Sequence, residues 1–382
     1  MVRSAVLFLA AAVFLADAGP VDAGGVVINE VLAHTDWPMS DGIELHNVTG
    51  AAINVGGWYL SNSEGGDNYK KFQIPDPTTI PLGGYWVFDE VDFNPTPMNP
   101  QPHHFSLDGD RGGGVWLMEA DGAGNLTQLA DHVEFGAQAN GKPWGRWPNG
   151  VGTMYPMTDL TLRLDNSGPR LGDVIVNEVH YNPGVMPGAE ELEFVEIYNT
   201  TDAPVNLTNW RLRKGIDYDF TPGDTLEALG TMVVVGFDPA GEPAKLAAFK
   251  AAHGIVRSIM AVGPYAGELD NDGESVQLQY PGVPPYNELD FYPGLLEDEV
   301  IYDDDNGWPV TADGQGFSLN RASADSFGNN AASWTAAVPT PGVVPEPSAL
   351  VLLGMGTVGL AAFAWRRGRN VGSAALLRQR RG

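Results

Sequence analysis

At 382 residues, with 43% hydrophobic and 10% aromatic side chains, the chain can fill two ordinary domains, while 48 Gly and 29 Pro leave little room for long helices. The absence of cysteine excludes a disulfide framework, a thiol nucleophile and any zinc site built on thiolates. Net charge is −27, and Gly24–Val344 alone holds 14 basic residues against 45 acids, a field of −31 that repels nucleic-acid phosphates and attracts divalent cations or basic partners.

Residues 1–23 have the three parts of a secretory signal. Arg3 gives a positive start and Ala5–Ala16 an apolar stretch. Ala16-Asp17-Ala18 and Val21-Asp22-Ala23 are the two small-residue cleavage sites, so cutting is expected after Ala18 or Ala23. The strand-like segment that begins at Val26 favours Ala23.

The middle of the chain repeats itself. Val27-Ile28-Asn29-Glu30-Val31 returns as Ile175-Val176-Asn177-Glu178-Val179. Glu44, Asn47, Asn54 and Trp58 return as Glu196, Asn199, Asn206 and Trp210 at a constant offset of 152. Leu82-Gly83-Gly84 pairs with Leu229-Gly230-Thr231, and Val115-Trp116-Leu117 with Val276-Gln277-Leu278. Four blocks in one order predict two copies of one fold, over 25–168 and 172–340.

Each block reads as a strand. Glu193–Tyr198 alternates charged with apolar residues and predicts one wet and one buried face. Met232–Val235 is a continuous apolar run suited to a central strand. Turn sequences such as Asn47-Val48-Thr49-Gly50 separate the runs, and only Pro243–His253 looks helical. Many short strands at regular spacing predict β-sandwiches.

The Asn-Glu opening, the Glu-x-x-Asn strand end and the Asn-x-x-x-Trp-x-Leu element together resemble the lamin-tail domain. The ending Gly316–Arg321, Trp334-Thr335-Ala336-Ala337 and Thr340-Pro341-Gly342 is also similar to that of bacterial members; the first copy has only an approximate counterpart at Gly145–Gly150. The resemblance implies all-β architecture, two immunoglobulin-like sandwich modules in tandem. The repeated Glu and Asn are expected at sandwich edges and turns, and Trp58 and Trp210 in the inter-sheet cores, with 150–250 Å² or so buried by each.

Three acidic clusters are calcium candidates: Asp108-Gly109-Asp110, Asp270-Asn271-Asp272-Gly273-Glu274 and Asp303-Asp304-Asp305-Asn306. Calcium wants several oxygen ligands, and close carboxylates in a loop supply them. The second cluster starts like an EF-hand loop, but Pro281 stands where the closing Glu belongs, so it is not one. As solvated turns, none of the three needs an ion. The same residue types leave a hydrolase working through surface carboxylates as the alternative function. No His-Glu-x-x-His, Gly-x-Ser-x-Gly or phosphate-binding loop occurs, and His103-His104 read as surface residues, so no catalytic residue is assigned. The sequons at Asn47, Asn125, Asn199 and Asn206 read as strand-turn polar residues.

At the C-terminus Pro345-Glu346-Pro347 precedes an uncharged apolar run, 349–365, followed by Arg366, Arg367 and Arg369. Seventeen residues at about 1.5 Å each can just span a bilayer, with the arginines left in the cytoplasm. This ending resembles the PEP-CTERM sorting signal, over 344–369, with 370–382 as an unusually long cytoplasmic tail. The resemblance implies an exosortase-like processing enzyme as partner, an inner-membrane intermediate, and then a surface or extracellular location. The expected function is a non-enzymatic binding or structural protein that contacts surface protein or polysaccharide. No cofactor is expected beyond Ca2+ in the acidic loops.

Overall fold

The computed structural model describes residues 25–185 and 188–343. The signal at 1–23 with its cleavage sites, the Pro345-Glu346-Pro347 motif, the span at 349–365, Arg366-Arg367 and the tail lie outside the described residues. Among the described residues no helix is long and apolar enough to cross a membrane.

The chain is all-β. Its first half supplies β1 (Val26–Leu32), β2 (Gly42–Asn47), β3 (Ile53–Asn54), β4 (Tyr59–Ser61), β5 (Phe72–Gln73), β6 (Thr79–Ile80) and β7 (Tyr85–Asp89). The one-turn α1 (Glu90–Phe93), β8 (Gly113–Ala120), β9 (Leu126–Phe135), β10 (Trp144–Trp147) and β11 (Thr153–Pro156) follow. The second half supplies β12 (Val174–His180), β13 (Phe194–Asn199), β14 (Val205–Asn206), β15 (Arg211–Lys214), β16 (Ile216–Asp219), β17 (Thr225–Leu226) and β18 (Thr231–Val235). Then come α2 (Pro243–Ala252), β19 (Ala261–Val262), β20 (Ala266–Gly267), β21 (Gly273–Pro281), β22 (Gly294–Asp303), β23 (Ser318–Arg321) and β24 (Trp334–Ala337).

The sheets repeat as the sequence does. The order β11-β10-β1-β2-β7 in the first half matches β24-β23-β12-β13-β18 in the second, where β19 adds one strand. Likewise β5-β4-β8-β9 matches β16-β15-β21-β22 with β20 added, and the ribbon β3-β6 matches β14-β17. Both opening hairpins are bulged at one place, between Ile28 and Glu30 and between Val176 and Glu178. The extra residue is Asn29 in one copy and Asn177 in the other, which is why Asn-Glu recurs: a bulge re-aims the side chains around it.

Each half encloses its own apolar core. Val26, Ile28, Ile43 and Leu45 pack on Leu60, Val115 and Leu117 in the first, and Val176, Val195 and Ile197 on Leu212, Val276 and Leu278 in the second. Trp58 and Trp210 occupy these cores as expected. Three details depart from the expected pattern. All six residues of β13 are buried, so Glu196 has no wet face; helix α2 and the chain after β24 cover it. The Leu82 block is shifted by one residue, because Gly84 O and Gly230 O accept the equivalent N–H groups of Asn47 and Asn199. The last paired strand of the first copy aligns Trp144-Gly145-Arg146 with Leu319-Asn320-Arg321, since Gly145 and Asn320 pair with Glu30 and Glu178.

The connection between the halves is tied at both ends. Asp165 accepts from Tyr85 Oη at 2.5 Å, and Arg170 donates to Glu297 Oε2 at 2.6 Å and to Leu296 O at 2.9 Å. Leu296 itself packs into the first core. Gly168 therefore lies in a braced joint and does not act as a free hinge.

Candidate functional site

The recurring polar residues form two copies of one buried network. Asn29 Nδ2 donates to Glu44 Oε1 at 2.9 Å, and Asn177 Nδ2 to Glu196 Oε1 at 2.8 Å. Thr161 donates its N–H and hydroxyl to Glu30, at 3.0 and 2.7 Å; Thr340 does the same to Glu178, at 2.9 and 3.0 Å. Two residues on, the N–H of Arg163 bonds Glu44 and that of Gly342 bonds Glu196. Both residues sit at positive φ, 70° and 77°, where Gly is at ease and Arg is not. A Thr-x-(left-handed residue) turn thus clasps a pair of buried glutamates in each copy.

Burial raises all four carboxyls. Glu44 is pushed up to about 7 and Glu196 to about 8, with the neighbouring Glu30 and Glu178 adding to burial and the hydrogen bonds opposing it. Glu30 and Glu178 are raised by burial also. Such shifts often mark catalysis, but these groups lie on central strands, have no solvent access and are filled by backbone donors. The expectation that they sit at sandwich edges is corrected accordingly.

Asn47 and Asn199 are equally committed. Each side-chain N–H₂ reaches three carbonyls, those of Ala51, Ile80 and Pro81 or of Ala203, Leu226 and Glu227, at 2.7–3.2 Å. Each Oδ1 accepts from the Thr two residues on. These two sequons are consumed by turn architecture.

One repeated pair escapes sequence reading. Arg146 forms a two-pronged bond to Asp131, both contacts at 2.8 Å, and Arg321 bonds Asp298. The carboxylates also accept from Ile28 N–H at 2.6 Å and Val176 N–H at 2.8 Å, and the arginines donate to the carbonyls of the same two residues. The signal available was rarity: two arginines at equivalent strand positions in a chain poor in base.

The acidic loops fall into two places. Asp108 Oδ1 accepts from the N–H of Asp110 and Arg111, and Asp110 lies 3.7 Å from His34. Asp270 caps Asp272 N–H at 2.9 Å, and Asp303 caps Asp305 N–H at 3.0 Å. Because Gly273 pairs with Asp303, the second and third clusters share one end of the β21–β22 hairpin. Asp303, Asp304 and Asp305 bring one oxygen each within 4.8 Å of the others. Asn306 and the Asp305 N–H hold Asp303 below the usual carboxylate range, while partial burial and the adjoining acids raise Asp304 and Asp305. The mutual repulsion is what a divalent ion would relieve.

Between the halves lies an open cleft of about 860 Å³. Asp36, Asp41, Glu90 and Asp110 line it from the first half, and the Pro281–Tyr286 segment from the second. Burial pushes Asp41 up to about 6, opposed by the Thr35 hydroxyl at 2.7 Å and aided by Glu90. An ion pair, Arg111–Glu288, bridges its rim, with the guanidinium 4.2 Å from the Phe291 ring. His103 and His104 lie outside the cleft, packed edge to face in a loop with ring centroids 4.5 Å apart.

Two bulged and clasped sandwiches, each closed around its own apolar core, define a tandem β-sandwich protein. Comparison with known families narrows the class. Residues 168–281 match the Lamin Tail Domain, and residues 343–369 match the PEP-CTERM protein-sorting motif. The chain carries a lamin tail domain in its second half and a PEP-CTERM sorting motif at its C-terminus. A crystal structure of a DUF4876 family protein from Bacteroides thetaiotaomicron VPI-5482 is similar at 10% identity, over 84% of this chain and 96% of that one, with a TM-score of 0.29. No curated protein matches.

Proposed function

We propose that this is a non-enzymatic surface protein, exported through the inner membrane, cut by an exosortase-like enzyme near Pro345-Glu346-Pro347, and displayed as a pair of lamin-tail-like modules. The observation that carries the reading is adjacency. The clasp on Glu178 and Glu196 ends at Gly342, and the sorting motif begins at 343. Folding and sorting are thereby divided at one point: a cut just beyond Val343 releases a complete sandwich without removing any residue that seals its core.

The first half is assigned to the same module type on its matching order of shared strands and its equivalent clasp. On this reading the modules are 25–168 and 172–340, the second running on through its clasp to Val343. The acid-lined cleft suits a surface polysaccharide or a basic protein segment: tyrosines can stack on sugar faces and carboxylates can bind hydroxyls or cations. Calcium is proposed for the hairpin end at Asp272 and Asp303–Asp305. Millimolar calcium is expected to raise the melting temperature by a few degrees relative to EDTA, and substituting Asp303→Asn and Asp305→Asn together should abolish the difference. An unchanged melting temperature removes the ion from the account.

Fractionation of native cells with separate antibodies to ectodomain and tail tests the main reading. The expected result is ectodomain outside the inner membrane without its tail. Intact protein confined to the inner membrane would make the C-terminus a plain anchor. Turnover of polysaccharide or phosphoester by the released protein, lost in Asp41→Asn, would make it a hydrolase instead.

A further inference from the structure

The two copies differ at one sheet edge. In the second, β18 is not the last strand: Val233 N–H donates to Met260 O at 2.9 Å, and Tyr265 N–H donates to Val235 O at 3.1 Å. Strand β19 runs parallel along that edge. Val233 and Val235 are fully buried beneath β19 and α2. The matched bonds from Asn47 N–H to Gly84 O and from Asn199 N–H to Gly230 O make Val87 and Asp89 the counterparts of Val233 and Val235.

In the first copy that edge is open. The bonds Asn47–Gly84 and Glu90–Asp41 set the phase of the β2–β7 ladder, so Trp86 and Phe88 turn their backbone groups toward β2. The N–H and C=O of Tyr85 and Val87, and the C=O of Asp89, face the other way. Among the described residues no strand pairs with that side of β7. Segment Pro243–Val262, which supplies the cover in the second copy, has no counterpart here; β7 runs straight into α1.

Exposed edges are ordinarily guarded by Lys, Pro, a bulge or brevity. Tyr85-Trp86-Val87-Phe88-Asp89 has none of the first three, pairs regularly with β2, and consists mostly of residues that favour strands. Trp86 is 38% exposed beside it. Charge selects the occupant. Asp89, Glu90 and Asp92 stand at the C-terminal end of the strand, and a second copy would bring the same −31 field to meet them. A segment lying parallel, as β19 does, sets its own C-terminal residues against those acids.

We propose that the β7 edge of the first module docks an extended segment of another protein by strand addition, parallel to β7, apolar at its centre and bearing Lys or Arg at its C-terminal end. The edge is a property of the folded module and does not depend on where the sorting motif delivers the chain.

The test uses the full-length protein in detergent and, as probe, a synthetic peptide of residues 257–262 (RSIMAV) followed by two lysines. Saturating peptide is expected to slow hydrogen–deuterium exchange at the Tyr85 and Val87 amides by roughly tenfold or more. Val87→Pro removes an outward N–H while leaving the bonds to β2, and should weaken peptide binding at least about tenfold at an unchanged melting temperature. Replacing the peptide's two lysines by glutamates should weaken binding to the unmodified protein by about the same factor, a comparison that needs no protein variant. Unchanged exchange at saturating peptide overturns the proposal, as does equal binding by folded Val87→Pro or by the glutamate peptide. Protection that appears without peptide and tracks dimer formation gives the edge to a second copy and overturns the foreign segment.

Discussion

Replacing Arg321 by methionine is expected to destabilise the second module by about 3–5 kcal/mol, because it strands a buried carboxylate. The side chains of Arg321 and Asp298 are 0% and 7% exposed. Asp298 also holds the Val176 N–H, and Arg321 holds the carbonyls of Val176 and Ser326, at 3.0 and 2.5 Å. The pair therefore fastens β12 to β22 and β23 across the sandwich at one point. Losing the cation removes four bonds to three partners and leaves a desolvated carboxylate held by the Val176 N–H. The double variant Arg321→Met, Asp298→Leu should recover much of the loss, since a well-packed apolar pair replaces an ion pair at little net cost. Arg146→Met in the first module should cost less, because Arg146 and Asp131 are each 13% exposed and water can reach what remains. Urea unfolding of the three variants checks the order. Equal, small effects would mean that the pair contributes no more than a surface salt bridge.

The second large effect is in pH. Glu196 and Glu44, pushed up to about 8 and about 7, have native values above those of the unfolded chain, near 4.5. The native state therefore binds more protons than the unfolded state between those limits, and stability must fall as pH rises. The contribution is fully present below about 4.5 and lost as pH passes through 7 and 8, at up to about 1.4 kcal/mol per pH unit for each group. The melting temperature should therefore be several degrees higher at pH 5.5 than at pH 8.5. General acid repulsion acts in the same direction, so the informative comparison is Glu196→Gln. That variant keeps an acceptor for the Gly342 or Asn177 donor and cannot ionise, and it should flatten the upper part of the profile. A profile parallel to that of the unmodified protein would show that Glu196 is not the group responsible.

Much of this was legible in the sequence, and the limits have physical causes. Strand positions and the internal repeat could be read because alternation and the two tryptophans survive in both copies; the constant offset of 152 between β2–β4 and β13–β15 needs no gap. The structural role of Asn47, Asn199 and the glutamates was also readable, but their place was not. Alternation in β13 looks like a surface strand, and only the three-dimensional cover by Gly342 and α2 makes Glu196 buried. The arginine–aspartate pairs were hidden because loop insertions carry the offset from 152 at β2 to 175 at Arg146 and Arg321, so the two strands no longer align by eye. The merging of two acidic clusters at the β21–β22 end, and the missing cover on β7, depend on which strands meet, and spacing along one chain does not report that.

Intact-mass measurement of the ectodomain recovered from the cell exterior distinguishes a released, clasped sandwich from an uncut anchor. The expected mature chain begins at Gly24 or, failing that, Gly19, and ends within a few residues of Pro345-Glu346-Pro347, with the Thr340–Gly342 turn retained. A mature chain that still ends at Gly382, or one cut ahead of Thr340 and so missing its clasp, would contradict it.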